Sequence, residues 1–161
     1  LAFDENGTVT AATSSPLTDG AVAMVVCSRE FAPRLATEST TVIQGGCVVG
    51  VHPNVMGLGP INAGRKLSES TGVDLNDVDV FEVNEAFASQ SIATIRDLEL
   101  DVDRVNIHGG AISIGHPLGA SGARIIGQSQ HILETEGKEI AMALMCIGGG
   151  MGIGVALRRE R

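Results

Sequence analysis

Residues 140–157 read IAMALMCIGGGMGIGVAL, and this uncharged stretch decides which fold the chain can adopt. Its length is close to the roughly 20 apolar residues that a membrane-spanning helix needs. Five glycines, three of them consecutive, argue against such a helix, because each costs about 1 kcal/mol relative to alanine. The stretch therefore predicts two buried strands, residues 139–147 and 151–158, joined by a glycine turn.

The spacing of Gly150, Gly152 and Gly154 is similar to part of a dinucleotide-binding loop. Such a loop needs a strand before it, a helix after it and an acidic ribose contact roughly 20 residues further on. Here a predicted strand follows the glycines, so the context for a nucleotide site is missing. Cys146 is then the chemically notable residue, placed at a strand end where glycines let other groups approach closely.

Composition limits the class of protein. A chain of 161 residues with four Phe and no Trp or Tyr predicts one domain with an aliphatic core, and its 21 glycines predict tight packing between layers. The net charge of −8 and the dispersed basic residues disfavour nucleic-acid binding. The three cysteines form no CxxC pair and are odd in number, which favours a reducing, cytoplasmic location over a disulfide framework.

Apolar periodicity predicts alternating strands and helices upstream of the hairpin. Strands are expected at residues 21–28, 40–51 and 77–83, the second with a bulge at Gly45-Gly46. Helices are expected from Pro60 to Gly72, over 84–100 and over about 120–136, with a short interrupted one near Pro33. Residues 52–60 and 105–122 are predicted to be irregular, and Asn6-Gly7 to be a turn. The fold class is α/β: three layers, a mostly parallel central sheet and a C-terminal antiparallel hairpin.

The helix after residue 84 carries two further predictions. Asn84 is a plausible N-cap, and Glu85 is favourable in the first turn. An apolar face is expected to be buried against the sheet, formed by Ala88, Ile92, Ile95 and Leu98.

Three reactive side chains fall where predicted elements meet: Asn84 between strand and helix, His116 just before a helix, and Cys146 at a strand end. Ligands in α/β folds usually bind at such ends. The helix that follows His116 directs its positive end toward the imidazole, which disfavours the imidazolium form. A neutral imidazole accepts a proton through one nitrogen and donates a hydrogen bond through the other. Equally, an isolated histidine is often structural.

Cys146 also has two interpretations. With an imidazole or a positive helix end close by, it becomes a thiolate that acts as a base or a nucleophile. Otherwise it is a small buried hydrophobe. Cys27 and Cys47 lack comparable flanks and are expected to be structural, as are His52 and His131. No Cys/His spacing matches a metal site.

Several motifs together resemble the thiolase family, which comprises acetyl-CoA acetyltransferases and 3-ketoacyl-CoA thiolases. They are NEAFA at 84–88, GGAISIGHPLGASGAR at 109–124, CIGGGMG at 146–152, GTVTAATSSPLTDGA at 7–21 and MGLGP at 56–60. The resemblance covers essentially the whole chain, in the order that the family has. It implies a Claisen condensation and its reverse, thiolysis, through an acyl-cysteine intermediate, with coenzyme A thioesters as substrates and no cofactor or metal.

The resemblance also implies roles for individual residues. His116 matches the histidine that activates the nucleophilic cysteine and contributes to one oxyanion hole, and Asn84 matches the asparagine that holds a water there. Cys146 matches the cysteine that moves the proton at the substrate α-carbon. The N–H of Gly148 matches a donor of the second oxyanion hole. Three further residues match positions that line the coenzyme A and acyl pocket: Ser15, Met56 and Phe87.

One departure from the family limits what this chain does alone. The family's nucleophilic cysteine lies in the N-terminal half, and neither Cys27 nor Cys47 stands in a matching motif. The chain therefore looks like the C-terminal half of a thiolase, with residues 1–20 ending a linking segment and residues 21–161 forming the C-terminal domain. Expected partners are acyl-CoA, coenzyme A, the missing N-terminal half and further copies of the protein, but not nucleic acid or membranes. A non-catalytic thiolase-like domain for lipid carriage or assembly is the alternative.

Overall fold

A computed structural model describes residues 3–35 and 40–160. Its central sheet has four strands: β1 (Thr40–Gly50), β2 (Val80–Val83), β3 (Ile140–Ile147) and β4 (Met151–Glu160), in the order β1-β4-β3-β2. β3 and β4 form the predicted hairpin across the glycine turn. Within the described ranges, no helix is long and apolar enough to cross a membrane.

The four strands form a mixed sheet that includes the predicted antiparallel hairpin. β2 pairs parallel with β3, and β4 pairs antiparallel with both β1 and β3. β1, β2 and β3 therefore run in one direction, and only β4 runs against them. The predicted bulge in β1 is present, as a register shift between Ile43 and Gly45.

Four α-helices connect and cover the strands: α1 (Gly59–Thr71), α2 (Ala88–Asp97), the single turn α3 (Ala111–Ile114) and α4 (Ser121–Thr135). α1 ends at Gly72, which adopts the left-handed conformation that glycine tolerates best. A 3₁₀ helix, Pro53–Leu58, occupies the segment predicted to be irregular. His52 caps it, because its Nδ1 accepts the Asn54 N–H at 3.3 Å.

The core confirms three layers. On one face of the sheet, α1 packs through Ile61 and Leu67 against Phe81 and neighbouring aliphatic residues. On the other face, α4 packs through Ile132 and Leu133 onto the opposite sides of β2, β3 and β4. Residues therefore alternate between the two cores along β2, β3 and β4, as strands covered on both faces require.

The prediction of a strand at residues 21–28 is wrong. These residues have no regular secondary structure and are exposed, with Val25 76% and Val26 74% accessible. An apolar run becomes a buried strand only where neighbouring strands and helices cover it, and none of the four strands pairs with this run. The short helix near Pro33 is present as a single 3₁₀ turn, Ala32–Arg34, while residues 36–38 of the predicted segment lie outside the described ranges.

The predicted start of α2 is also wrong, and its predicted buried face is right only in part. The N-cap is Phe87, and no side chain caps the helix. Its buried residues are Gln90, Ser91 and Thr94. Of the predicted face, Leu98 is buried and Ile95 packs against the core, whereas Ile92 is 45% exposed. The helix begins four residues later than predicted, because the Asn84 N–H still bonds to the Leu144 carbonyl at 2.9 Å and extends the β2–β3 pairing.

Candidate active site

The carboxyl ends of β2 and β3 bring the predicted site residues to one end of the sheet. Asn84 follows β2 directly, and Cys146 is the second-to-last residue of β3. The first turn of α4 reaches the same end, since a Cβ placed on Gly122 would lie 3.7 Å from the Met145 Cε. His116 lies in the loop before α4, five residues ahead of Ser121. This is the end of a parallel strand pair at which α/β folds bind ligands.

Residues 15–20 join the segment that carries Asn84 to the loop that carries His116. The Ser15 N–H donates to the Ala86 carbonyl at 3.1 Å, and the His116 N–H donates to the Pro16 carbonyl at 2.8 Å. Further along, Gly20 lies directly against the ring of Pro117. Backbone contacts thus fix the relative positions of the two loops.

The hydrogen bonds of His116 define its tautomer. Its Nδ1 lies 2.6 Å from the Ser121 Oγ, and that hydroxyl donates its own proton to the Pro117 carbonyl at 3.0 Å. The Ser121 oxygen is therefore an acceptor for the Nδ1–H, which leaves Nε2 with its lone pair. Burial lowers the pKa of His116, and the positive charge of Arg124 lowers it further. This direction agrees with the predicted preference for a neutral imidazole, but its causes are burial and Arg124, whereas the sequence argument invoked the positive end of the following helix.

Asn84 is buried, with 1% of its surface exposed, and it is not a helix cap. Neither its amide nitrogen nor its amide oxygen has a hydrogen-bond partner among the described residues. Buried amides are nearly always bonded, so an unpaired one indicates a place for a water or a ligand. Because Asn84 does not cap a helix, ligand or water binding is the better explanation for its buried, unpaired amide.

Cys146 is buried near the glycine turn. Burial raises the pKa of its thiol, so the thiol is the resting form and its thiolate is a strong base. Gly148, two residues on, is exposed, and a Cβ there would meet no atom within 4 Å. The next two glycines have φ of +87° and +96°, which glycine accommodates without strain. The turn therefore exposes backbone beside the thiol.

The three predicted pocket residues lie on segments that contact this end. Ser15 and Phe87 are half-buried, and their segments are joined by an antiparallel bridge between Ser14 and Phe87. Met56 is half-buried in the 3₁₀ helix 53–58, which packs against α2 and β3. A Cβ on the adjacent Gly57 would lie 3.1 Å from the Gln90 side chain.

The other two cysteines and His131 lie elsewhere, whereas His108 lines the same cavity as Asn84. The Cys47 thiol donates to the Ala63 carbonyl at 3.4 Å between β1 and α1, which confirms a structural role. Cys27 is exposed in the segment 21–28, and His131 is exposed on α4.

Sequence reasoning missed two residues that contribute to the site. Ser121, five positions after His116, fixes the imidazole tautomer, and only the loop geometry makes that contact. Glu82 is a buried carboxyl group inside β2, 3% exposed, and burial raises its pKa to about 7. A single charged residue inside the apolar strand 80–83 was the available signal for it. Glu85, predicted to lie in the first turn of α2, instead accepts the Ile112 N–H at 3.1 Å, at the start of α3.

Comparison with known proteins identifies two family matches. The thiolase C-terminal domain matches residues 37–159, and the thiolase N-terminal domain matches residues 1–30. An acetyl-CoA acetyltransferase of Chromobacterium violaceum is 40% identical over 158 residues, which are 98% of this chain and 40% of that protein.

Solved structures show the same likeness. The human mitochondrial 3-ketoacyl-CoA thiolase superimposes with a TM-score of 0.93 at 41% identity, over 98% of this chain and 40% of that one. A structure of the human enzyme in complex with CoA gives a TM-score of 0.92 at 40% identity, over 99% of this chain and 40% of that one. The chain thus spans about two fifths of the length of the proteins that it matches.

Proposed function

The chain belongs to the thiolase family, and from that premise we propose that it is the acid/base half of an acyltransferase acting on coenzyme A thioesters. The reaction is the Claisen condensation of two acyl-CoA molecules, or the thiolysis of a 3-ketoacyl-CoA. Coenzyme A enters as a substrate, and the proposed chemistry needs no metal or organic cofactor.

The observation that carries the proposal is the state of three side chains at one end of the sheet. His116 has an acceptor nitrogen, Asn84 has a buried amide without a partner among the described residues, and Cys146 has a thiol beside an open glycine turn. Moving a proton next to a thioester needs a base and a set of donors for the enolate charge. These groups supply both.

His116 serves two steps through the same nitrogen. Because Nδ1–H is held by Ser121, Nε2 accepts the proton of the nucleophilic cysteine, and the resulting Nε2–H donates to a substrate oxyanion. The lowered pKa of His116 disfavours a lone imidazolium, so this cation forms only when a thiolate or oxyanion is present to pair with it. The Asn84 amide holds a water that donates to the same oxyanion.

Cys146 moves the proton at the substrate α-carbon. Its raised pKa makes the thiolate a stronger base than an exposed one, which suits a weakly acidic carbon. The Gly148 N–H donates to the thioester oxygen of the acyl group, and the open space around that residue leaves room for it. Ser15, Met56 and Phe87 line the channel for coenzyme A and the acyl chain.

The acyl-carrying cysteine belongs to the N-terminal half, with which this chain forms the complete site. The chain spans 40% of its relatives, and its exposed apolar segment at residues 21–28 fits a surface covered in the whole protein. Assembly of the whole protein into homo-oligomers is part of the proposal.

Acetoacetyl-CoA thiolysis by the full-length protein tests the function. Cys146→Ala is expected to lower kcat by about 100-fold or more, the size expected for losing an acid/base group. Cys47→Ala is the matched control, because that cysteine bonds only to a backbone carbonyl between β1 and α1, and it should keep kcat near the wild-type value.

Two outcomes would contradict the proposal. Full activity in the Cys146→Ala protein would favour a non-catalytic thiolase-like domain for lipid carriage or assembly. Turnover by the purified 161-residue chain alone would show that no second half is needed.

A further inference from the structure

A small cavity of about 50 Å³, with both polar and apolar walls, lies behind Asn84, between β2, the loop before α3, and α4. Its walls include Glu82, Asn84, Asn106 and Arg124. A buried water needs a space of at least roughly 10–15 Å³ measured in this way and two to four polar partners, so the cavity has room for at least one water.

Glu82 and Asn84 face this cavity from the same side of one strand. They are two residues apart, and alternate residues of a strand share a face. Both are buried, and the Glu82 Oε1 and both polar atoms of the Asn84 amide lack hydrogen-bond partners among the described residues. Unpaired buried groups cost free energy, which a shared water removes.

Asn106 does not compete for these groups. Its Oδ1 accepts the Val83 N–H at 2.8 Å, and its Nδ2 donates to the Val83 carbonyl at 2.9 Å and to the Glu85 carboxylate at 3.1 Å. All of its hydrogen-bonding directions toward the strand are thus in use, and it closes one wall of the cavity.

Arg124 connects the cavity to the loop that carries His116. Its Nη1 donates to the Gly115 carbonyl at 2.7 Å, and its side chain lines the cavity. Burial raises the pKa of Glu82 to about 7 and the Arg124 charge opposes that rise, so near neutral pH the carboxyl group is both a donor and an acceptor for water.

We propose that water in this cavity bridges the Glu82 carboxyl group and the Asn84 amide, which makes Glu82 a positioning residue for the active site. The bridge fixes which end of the amide faces the cavity and which end faces the substrate. Glu82 therefore influences the reaction only through Asn84. The effect on the reaction rests on the proposed thiolase function, whereas the water bridge does not.

A high-resolution crystal structure of the protein tests the bridge without any activity assay. The expected result is an ordered water within hydrogen-bonding distance of both the Glu82 carboxyl group and the Asn84 amide. In Glu82→Leu this water should be lost and the Asn84 amide should change orientation. A dry cavity, or a direct bond between the two side chains, would overturn the inference.

A kinetic double-mutant cycle tests the positioning role in the full-length enzyme. Glu82→Leu is expected to lower kcat about tenfold with KM within about twofold, and to change kcat less than about twofold when Asn84 is already alanine. Glu82→Gln should restore kcat to near the wild-type value, because its amide also bonds to water. Ser129→Ala removes another buried hydrogen-bonding group from the α4 side of the sheet and should leave kcat unchanged.

Equal effects of Glu82→Leu in the two backgrounds would show a general structural role and refute positioning. No effect in the wild-type background would refute it as well. If the wild-type protein has no thiolase activity, the proposed function fails, and the crystallographic result still decides whether the water bridge exists.

Discussion

Replacement of Glu82 by Gln removes the one buried carboxyl group whose pKa lies near neutrality among the described residues. Burial is the main cause that raises this pKa from 4.5 to about 7, a net shift in which the Arg124 charge opposes burial and the Glu85 charge adds to it. The folded protein therefore holds a proton on Glu82 between about pH 4.5 and pH 7, where the unfolded chain does not. Over that interval wild-type stability falls as the pH rises.

The size of the effect follows from the same values. A rise from 4.5 to about 7 corresponds, at about 1.4 kcal/mol for each pKa unit, to about 3 kcal/mol of unfolding free energy. This contribution is fully present below pH 4.5 and lost above pH 7. Gln carries no charge at any pH, so the Glu82→Gln protein should gain about 3 kcal/mol relative to wild type between these limits.

Urea unfolding from pH 5 to pH 8 measures this difference. Circular dichroism is the suitable signal, since the chain has no Trp or Tyr for fluorescence. Glu69→Gln, on the exposed side of α1, is the matched control and should show no comparable trend. A wild-type to Glu82→Gln difference that stays constant with pH would refute the argument that this carboxyl group is buried and protonated in the folded state.

Three other substitutions give separate tests. Gly148→Ala should lower thiolysis activity but shift the melting temperature by no more than about 2 °C, because a Cβ there meets no protein atom. Gly150→Ala should lower the melting temperature more, since φ at Gly150 is +96°. Equal shifts of the two variants in circular dichroism melts would contradict this. Ser121→Ala should lower kcat about tenfold in steady-state assays with KM unchanged, because His116 loses the acceptor that fixes its tautomer. Ser121→Thr keeps the hydroxyl and should retain activity, so loss of activity in both variants would contradict this. Val25→Asp should reduce self-association of the 161-residue chain in sedimentation and leave the unfolding midpoint of the chain unchanged, since Val25 is 76% exposed. A lowered unfolding midpoint would show that Val25 is buried.

The prediction at residues 21–28 shows the limit of pattern reasoning. The run AVAMVVCS has the composition of a strand buried on both faces, yet it is exposed in this structure. An apolar pattern indicates that a segment is buried in the folded protein, but not which part of the protein buries it. The match of residues 1–30 to the N-terminal domain of the family is consistent with cover from outside this chain.

At Asn84, too, local sequence patterns do not decide the role of the residue. The sequence permitted a helix cap or a catalytic amide, and local propensity alone favoured neither. The pairing of β2 with β3 extends to the Asn84 N–H, so the helix starts later and the side chain is left without that role. A tertiary contact therefore decided between the two interpretations.

The amino-acid sequence by itself determined the hairpin at 140–160, the bounds of α1 and α4 within a residue or two, the α/β class, and the family, because glycine positions, apolar periodicity and motifs are local properties. Only the tertiary structure decided the strand order, the tautomer of His116 and the burial of Glu82. These depend on groups far apart in the chain: β4 inserts between β1 and β3, and α4 covers the face of β2 from which the Glu82 and Asn84 side chains project. Long-range packing sets the electrostatic environment that gives these side chains their chemistry.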